Sequence, residues 1–273
     1  MTAVITQEIV RHELKRRELV VARVQDLSPH LRRITFTGDD LGSLQDQGPA
    51  DHVKLFFPDP QTGELALPQV GPDGLRASTS GTVISRDYTP RQLRHSPEGS
   101  ELDIDFVLHG DSGPASYWAA RAQEGDTLNA GGPRGSKLFP SGISRLVVLA
   151  DESALPAAAR WLESSPVPTE MLLIAEDAAT TTYLSEVTAQ PAAVTWYTGA
   201  ARYEDAGHAL RGLPQQPGTY YFLAGEANAL VPLRRYLRRE LGLERNVVAV
   251  DGYWKRGVIG LDHHAPLDPS DPD

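Results

Sequence analysis

The rhythm of apolar residues changes near residue 142, and this change constrains the fold of the 273-residue chain more than any other feature. Upstream lie short runs rich in Val, Ile, Phe and Thr: residues 18–27, 30–38, 52–58, 81–89 and 101–110. Gly, Pro and Asp separate them. In the last run Leu102, Ile104, Phe106 and Leu108 share one face, while Asp103, Asp105, Val107 and His109 share the other, because strand side chains alternate. Short strands at this spacing predict a closed or nearly closed antiparallel barrel over residues 17–142. Downstream, apolar strands over 144–151, 169–176, 192–199, 219–226 and 246–254 alternate with helical stretches at 154–164 and 226–242, the latter ending at Gly242. A weaker helical stretch lies around 178–188. Such alternation predicts a parallel sheet covered on both faces, over residues 143–260. The Pro- and Asp-rich segment 261–273 reads as a disordered tail.

Composition removes several classes of function. Two domains are the expectation for this length. With no cysteine, there is no disulfide, thiol nucleophile, Cys-ligated zinc or iron–sulfur cluster. Redox chemistry would therefore need an organic cofactor. A net charge of −10 argues against general nucleic-acid binding and makes any local cationic cluster more informative. No apolar run approaches the roughly 18–20 residues of a membrane span. The N-terminal stretch lacks the apolar core of a signal peptide, so the expected location is cytoplasmic. The cluster Arg11, Lys15, Arg16 and Arg17 reads as solvated. His263 and His264 have no third ligand nearby in sequence, and no metal site is expected from them. No internal repeat is present.

Two segments carry chemistry suited to a flavin nucleotide. In Arg86-Asp87-Tyr88-Thr89-Pro90-Arg91, residues 86 and 88 point the same way on a strand. A cation for phosphate and an aromatic face can then serve one ligand, with Thr89 offering a hydroxyl or N–H. In His109-Gly110-Asp111-Ser112-Gly113-Pro114-Ala115-Ser116 a strand ends, glycines allow a tight turn, and Pro114 suits the first helical position. The start of that helix exposes backbone N–H groups to an anion, and Ser116 adds a hydroxyl. Each segment alone is equally compatible with a surface arginine or an unliganded turn. No GxGxxG follows a strand of the second half, so nucleotide binding there is inferred from strand order only.

Five segments taken in order are more specific: RDYT; HGDSGPASYWA followed by EGDTLNAGGPRGS; LADESALPA; AGEANALVPLRRYLRRELG; and GYWKRG. Over roughly residues 17–257 the chain resembles the siderophore-interacting protein family, a branch of the ferredoxin-reductase-like flavoproteins. The resemblance implies an all-β plus α/β architecture: an FAD-binding antiparallel barrel followed by a parallel-sheet NAD(P)H-type domain. It implies reduction of ferric siderophores, with FAD as cofactor and NADH, NADPH or a reduced ferredoxin as donor. By position, it implies flavin roles for Arg86, Tyr88 and Thr89, for Asp105, Val107 and His109, and for Gly113, Ala115 and Ser116. Asp151, Glu152, Gly225 and Glu226 match positions near the cofactors of the second domain. Trp254 stands where related folds often place a residue over the flavin, and it also reads as a core residue ending a strand. Lys54, Lys255 and Arg134 resemble basic positions lining a siderophore pocket.

The physics is consistent with this. Many ferric siderophores are anionic, so a net-acidic protein needs a local positive patch to hold one. Lysines supply charge without dictating one ligand geometry, which predicts broad recognition. Electron transfer to Fe(III) needs no protein acid, base or nucleophile, and no catalytic residue is nominated. Two other readings stay open: a flavin reductase of this fold serving another acceptor, and a non-enzymatic siderophore carrier. The arginines of 234–239 and Arg202 are possible nucleotide contacts.

Overall fold

The computed structural model describes residues 4–71, 74–76, 81–110, 113–187, 192–261 and 265–271. Two compact units emerge: one spans Ile9–Lys137, and the other runs from Leu138 onward, joined by the segment ending at Glu8.

The strands of the first unit are β1 (Ile9–Arg11), β2 (Arg16–Ser28), β3 (Leu31–Thr37), β4 (Val53–Phe57), β5 (Gln69–Gly71), β6 (Gly74–Arg76), β7 (Ile84–Tyr88), β8 (Pro90–Ser96), β9 (Gly99–Val107), β10 (Thr127–Gly131) and β11 (Gly135–Lys137). Seven of them form one antiparallel sheet in the order β7-β4-β10-β2-β3-β9-β8. Strands β7 and β8 occupy its two ends, yet only Thr89 separates them in sequence. A flat seven-stranded sheet would hold its edges about 29 Å apart at about 4.8 Å per strand. One residue cannot span that distance, so the sheet is obliged to curl. Pro90 opens β8 beside a register shift, where its missing N–H costs no ladder bond. The interior is filled by Leu19, Val21, Ile34, Phe36, Leu55, Leu102, Ile104 and Phe106. The alternation read in residues 102–106 is thus the core face, and Leu108 packs partly buried against it.

Helix α1 (Pro114–Arg121) follows β9, and its Ala115 and Ala119 pack into the same core. The strands around Ile9, Pro90, Thr127 and Gly135 were not read from the sequence. They are short or polar and lack an alternating apolar pattern of their own: the strands at Pro90 and Thr127 pair with the longer β9 and β2, and those at Ile9 and Gly135 pair with each other.

In the second unit β12 (Arg145–Ala150), β13 (Thr169–Ile174), β14 (Ala192–Tyr197), β15 (Thr219–Glu226) and β16 (Val248–Trp254) make a parallel sheet in the order β14-β13-β12-β15-β16. Every residue of β12 and β15 is buried, which explains why both read as continuous apolar runs. Helices α2 (Leu155–Ser164), α3 (Arg202–Gly212) and α4 (Ala227–Arg235) complete the unit. The stretch Ala178–Glu186 is 3-10 helical. Helix α3 has a weakly apolar face and was not predicted. The single helix expected over 226–242 carries Pro232 inside α4 and widens to a π-helical turn at Tyr236–Glu240 before Gly242, whose φ is +66°.

The tail differs from its expected disorder. Asp268 pairs with Arg235, and Asp271 pairs with Arg234 and Arg239. The acidic residues that made the tail look unstructured are the groups that tie residues 265–271 down. They also engage three of the arginines considered as nucleotide contacts. The last, Arg238, bonds the carbonyl of Leu243. His263 and His264 lie outside the described residues. No described helix is long and apolar enough to cross a membrane.

Candidate cofactor and substrate sites

The RDYT segment sits where β7 hands over to β8. Arg86 donates from Nη1 to the carbonyl of Ser85 at 2.7 Å. Among the described residues it meets no carboxylate, so its charge stays available. Tyr88 packs on Phe106 with ring centroids 4.5 Å apart. Burial pushes its phenol well above the ordinary value, only partly offset by nearby Arg86. Thr89 is buried. Arg86 and Tyr88 stand two apart on β7, near enough for the guanidinium charge to act on the phenol.

Asp105 and Val107 do not stand open in the same way. Val107 is half-buried beside Leu31. Asp105 accepts two hydrogen bonds from the cross-strand Arg33, at 2.7 and 2.8 Å. Next to it, Asp103 accepts from Thr35 and from both terminal nitrogens of Arg94. Burial opposes ionisation of Asp103, but the bonds from Arg94 and Thr35 outweigh it and hold the carboxyl below its usual value. The polar face of β9 is therefore a ladder of ion pairs.

At the strand-to-helix turn, Gly113 is the N-cap of α1, Pro114 opens the helix, and no acidic residue occupies the first turn. The side chain of Ser116 is already used: it accepts from the N–H of His109 and donates to the carbonyl of Gly110. Its predicted role as a hydroxyl donor to phosphate gives way to a role in closing the turn. His109 is exposed, and its ring lies against Gly113, 3.5 Å from where a β-carbon would be. Among the described residues of the turn, the backbone N–H groups of Ala115 and Ser116 lie in the first turn of α1, where no intrahelical acceptor exists for them.

In the second unit the strand order reverses direction between β12 and β15, the position where open parallel sheets place ligands at strand carboxyl ends. Asp151, Glu152, Gly225, Glu226 and Trp254 meet there. Asp151 is buried and accepts five hydrogen bonds: the N–H and hydroxyl of Ser153, the N–H of Glu226, the hydroxyl of Tyr203 and the indole N–H of Trp254. Tyr203 was missed by the sequence reading because α3 was missed. Gly225 is required by this carboxylate: its φ is +144°, and a β-carbon would lie 2.4 Å from Asp151 Oδ2. Glu226 caps α4 through the N–H of Ala229 and also accepts from the N–H of Arg256. Glu152 accepts from the hydroxyl of Thr180. Burial raises its pKa, helped by the charges of Asp151 and Glu176 and opposed by hydrogen bonds from Thr180 and Glu176. These acids organise the carboxyl edge of the sheet, and Trp254 is held there by Asp151.

Of the basic residues, Lys54 on β4 is paired with Asp87 across the ladder, Nζ lying 2.7 and 2.9 Å from its two carboxylate oxygens. Arg134 lines a cavity of about 430 Å³ with Ile9, Arg11, His12, Ser136 and Lys137. Among the described residues Arg11, Arg134 and Lys137 form no ion pair. Lys255 is half-buried after β16, with no carboxylate partner among the described residues. Arg202 donates to the carbonyl of Gly199 and lies over the ring of Tyr203. No described cluster of His, Asp or Glu has the makings of a metal site.

A curled antiparallel sheet followed by a five-stranded parallel sheet is the ferredoxin-reductase-like architecture, and solved structures at 13, 15 and 19% identity share that fold. More narrowly, residues 20–137 match the siderophore-interacting FAD-binding domain and residues 143–257 match the siderophore-interacting protein domain. The chain belongs to the siderophore-interacting protein family. It is 31% identical to the ferric vibriobactin reductase ViuB of Vibrio cholerae, over 91% of this chain and 92% of that protein. It is 42% identical to the NADPH-dependent ferric-chelate reductase of Escherichia coli, over 57% of this chain and 59% of that protein, so this match spans less than two thirds of the relative. A siderophore utilization protein from T. fusca has a TM-score of 0.85 and 40% identity, covering 96% of this chain and 100% of that one.

Proposed function

We propose that this protein is a ferric-siderophore reductase that uses FAD and releases iron inside the cell, with NADPH or NADH, or alternatively a reduced ferredoxin, as donor. The observation that carries the reading is Arg86 two residues from Tyr88 on one strand: a guanidinium that meets no carboxylate among the described residues, on the same strand face as a large aromatic ring, on a chain of this family. The residues present fit the cofactor. Arg86 and the first-turn N–H groups of α1 would hold its phosphates, and Tyr88 and Thr89 would lie against its ring system. When bound, FAD takes up two electrons from a hydride donor and gives them out singly, which matches a two-electron nicotinamide to one-electron Fe(III).

The protein groups bind and orient. Lys54, Arg134 and Lys255 supply positive charge for an anionic ferric complex on a protein of net charge −10. No proton has to move at a protein atom, because reduction itself weakens the hold of hard oxygen ligands on iron. Asp151, Gly225, Glu226 and Trp254 fix the carboxyl edge of the second sheet, where the family's nucleotide half is expected to meet its donor.

The test is optical. Purified protein should show flavin absorption that bleaches anaerobically with NADPH or NADH and recovers on adding two equivalents of a ferric siderophore. Recovery with a quinone but with no ferric complex would overturn the reading in favour of another flavin reductase. A colourless protein that binds ferric siderophore without flavin would overturn it in favour of a carrier.

A further inference from the structure

We propose that the ribbon of β1 and β11 is the part of the substrate site that receives an aromatic, negatively charged arm of the ferric complex, with Arg11 and Lys137 joining Arg134 as its cations and Ile9 as its apolar floor. The protein therefore favours triply anionic tris-catecholate complexes over neutral tris-hydroxamates. The inference rests on the reading of Arg134 as a substrate-facing cation.

The cavity of about 430 Å³ at this ribbon is of a size that takes a small ligand or one arm of a larger one. In the β1–β11 ladder Ile9 stands opposite Lys137, and Arg11 stands opposite Gly135. Cross-strand partners share a face, as do residues two apart, so Ile9, Arg11 and Lys137 lie on one face of the ribbon. Arg11 and Lys137 are diagonal neighbours there, about 7–8 Å apart at the backbone, and Gly135 puts no side chain between them. Arg11, Arg134 and Lys137 are exposed, and among the described residues none forms an ion pair. Ile9 is 64% exposed, an open apolar surface set among these cations. A catecholate matches that combination: its ring rests on Ile9 and the aliphatic stems of the basic side chains, and its oxygens meet their charged ends. The ribbon is anchored through its other face. Buried Ser136 donates its hydroxyl hydrogen to buried Asp51 and so accepts from the Nε2–H of His12, at 2.7 Å. Asp51 also accepts from the N–H groups of Gln47 and Gly48. This anchoring sets the cations in place before a ligand arrives, which lowers the cost of ordering them. Arg134 follows Gly131 by three residues, at most about 11 Å of chain, and Gly131 is the register partner of Lys54. One metal complex can therefore meet Lys54 and the ribbon together.

The experiment uses the full-length flavoprotein and redox-inert gallium(III) complexes, so that binding is read apart from turnover. Dissociation constants are measured by fluorescence for a gallium tris-catecholate of triple negative charge and a gallium tris-hydroxamate of zero charge. Wild-type protein should bind the trianion at least about fivefold more tightly at low salt, with the advantage shrinking at high salt. Arg11→Gln and Lys137→Gln should each weaken the trianion about fivefold at low salt, the scale for one unit charge near a trianion in a screened setting, and change the neutral complex by less than about twofold. Arg11→Lys should keep most of the affinity. Ile9→Ser should weaken the trianion about threefold at low and high salt alike, since the lost contact is apolar. Arg245→Gln removes an exposed arginine of the second unit as a control for net charge and should leave both constants as in wild type.

A smaller wild-type preference for the trianion overturns the proposal without any variant. So does a loss under about twofold in Arg11→Gln and Lys137→Gln, a loss in Arg245→Gln equal to theirs, or an Ile9→Ser variant that binds the trianion as wild type does. Turnover of the matching iron complexes is scored separately. Binding with the expected preference but without reduction would sink the reductase reading and leave this one standing. Reduction of both complexes without the preference would do the reverse, and failure to bind either complex would overturn both.

Discussion

Replacing Asp151 tests whether the acid at the end of β12 holds the sheet edge together or faces a ligand. Its five donors come from four residues: Ser153, Tyr203, Glu226 and Trp254. Hydrogen bonds to a charged group contribute about 1.5–3 kcal/mol each, but they share one carboxylate and cannot be summed in full. Asp151→Ala leaves all five donors without their acceptor in a buried setting, and an overall loss of about 4 kcal/mol is expected. Asp151→Asn keeps one oxygen and turns the other into an amide donor facing donors, for about 2 kcal/mol. At about 2–4 °C per kcal/mol these losses correspond to a drop in Tm of roughly 8–16 °C for alanine and half that for asparagine. Differential scanning calorimetry, with near-ultraviolet circular dichroism to follow Trp254, is the assay. An asparagine variant melting within 2 °C of wild type while losing nicotinamide binding would refute the argument and return Asp151 to a ligand-facing role.

Three further outcomes follow from described contacts. Gly225→Ala should destabilise by at least about 3 kcal/mol, since it combines a positive φ with a clash, but by distinctly less in an Asp151→Ala background where the clashing carboxylate is gone; chemical denaturation of the four variants checks this double-mutant cycle. Glu152 has a raised pKa from burial, so its contribution to stability is full below the unfolded value and lost as pH rises through the folded one. Glu152→Gln should therefore raise Tm by about 2 °C at pH 7–8, with the difference vanishing near pH 4, measured by thermal melts across pH. Asp103 is the opposite case: its carboxyl is held low, so its contribution is present above the unfolded value and lost as pH falls through the folded one. Arg94→Met, which strands Asp103, should cost about 2 kcal/mol at pH 7, discounted for the partly exposed arginine. Urea titrations at pH 7 and pH 3 should show that gap narrowing in acid.

Much of the architecture was legible because burial writes itself into residue order. Leu102, Ile104 and Phe106 alternate and line the barrel interior, and β12 and β15 are apolar apart from their end residues and buried along their whole length. Elements held by partners rather than by their own pattern were not legible. Strand β8 is polar along most of its length and is ordered by ion pairs to β9 through Arg94. The first turn of α3 carries Glu204 and Asp205, and the helix buries only Ala206, Gly207 and Leu210.

At the site, spacing put Arg86 and Tyr88 on one face of β7. It could not show that Ser116 closes its own turn, that Arg33 engages Asp105, or that Asp87 reaches Lys54. Those are cross-strand or through-turn contacts, and register becomes visible only once strands are paired. The same limit hid the partners of Arg234, Arg235 and Arg239, which wait more than thirty residues downstream.

The one-residue passage from β7 to β8 has a consequence for how such a chain can change. Thr89 is a rivet between the first and last staves of a rolled sheet, so the segment can vary in side chain but not in length. One inserted residue would push the seam apart and turn Tyr88 away from Phe106 in the same stroke. The geometry of closure itself pins this connection.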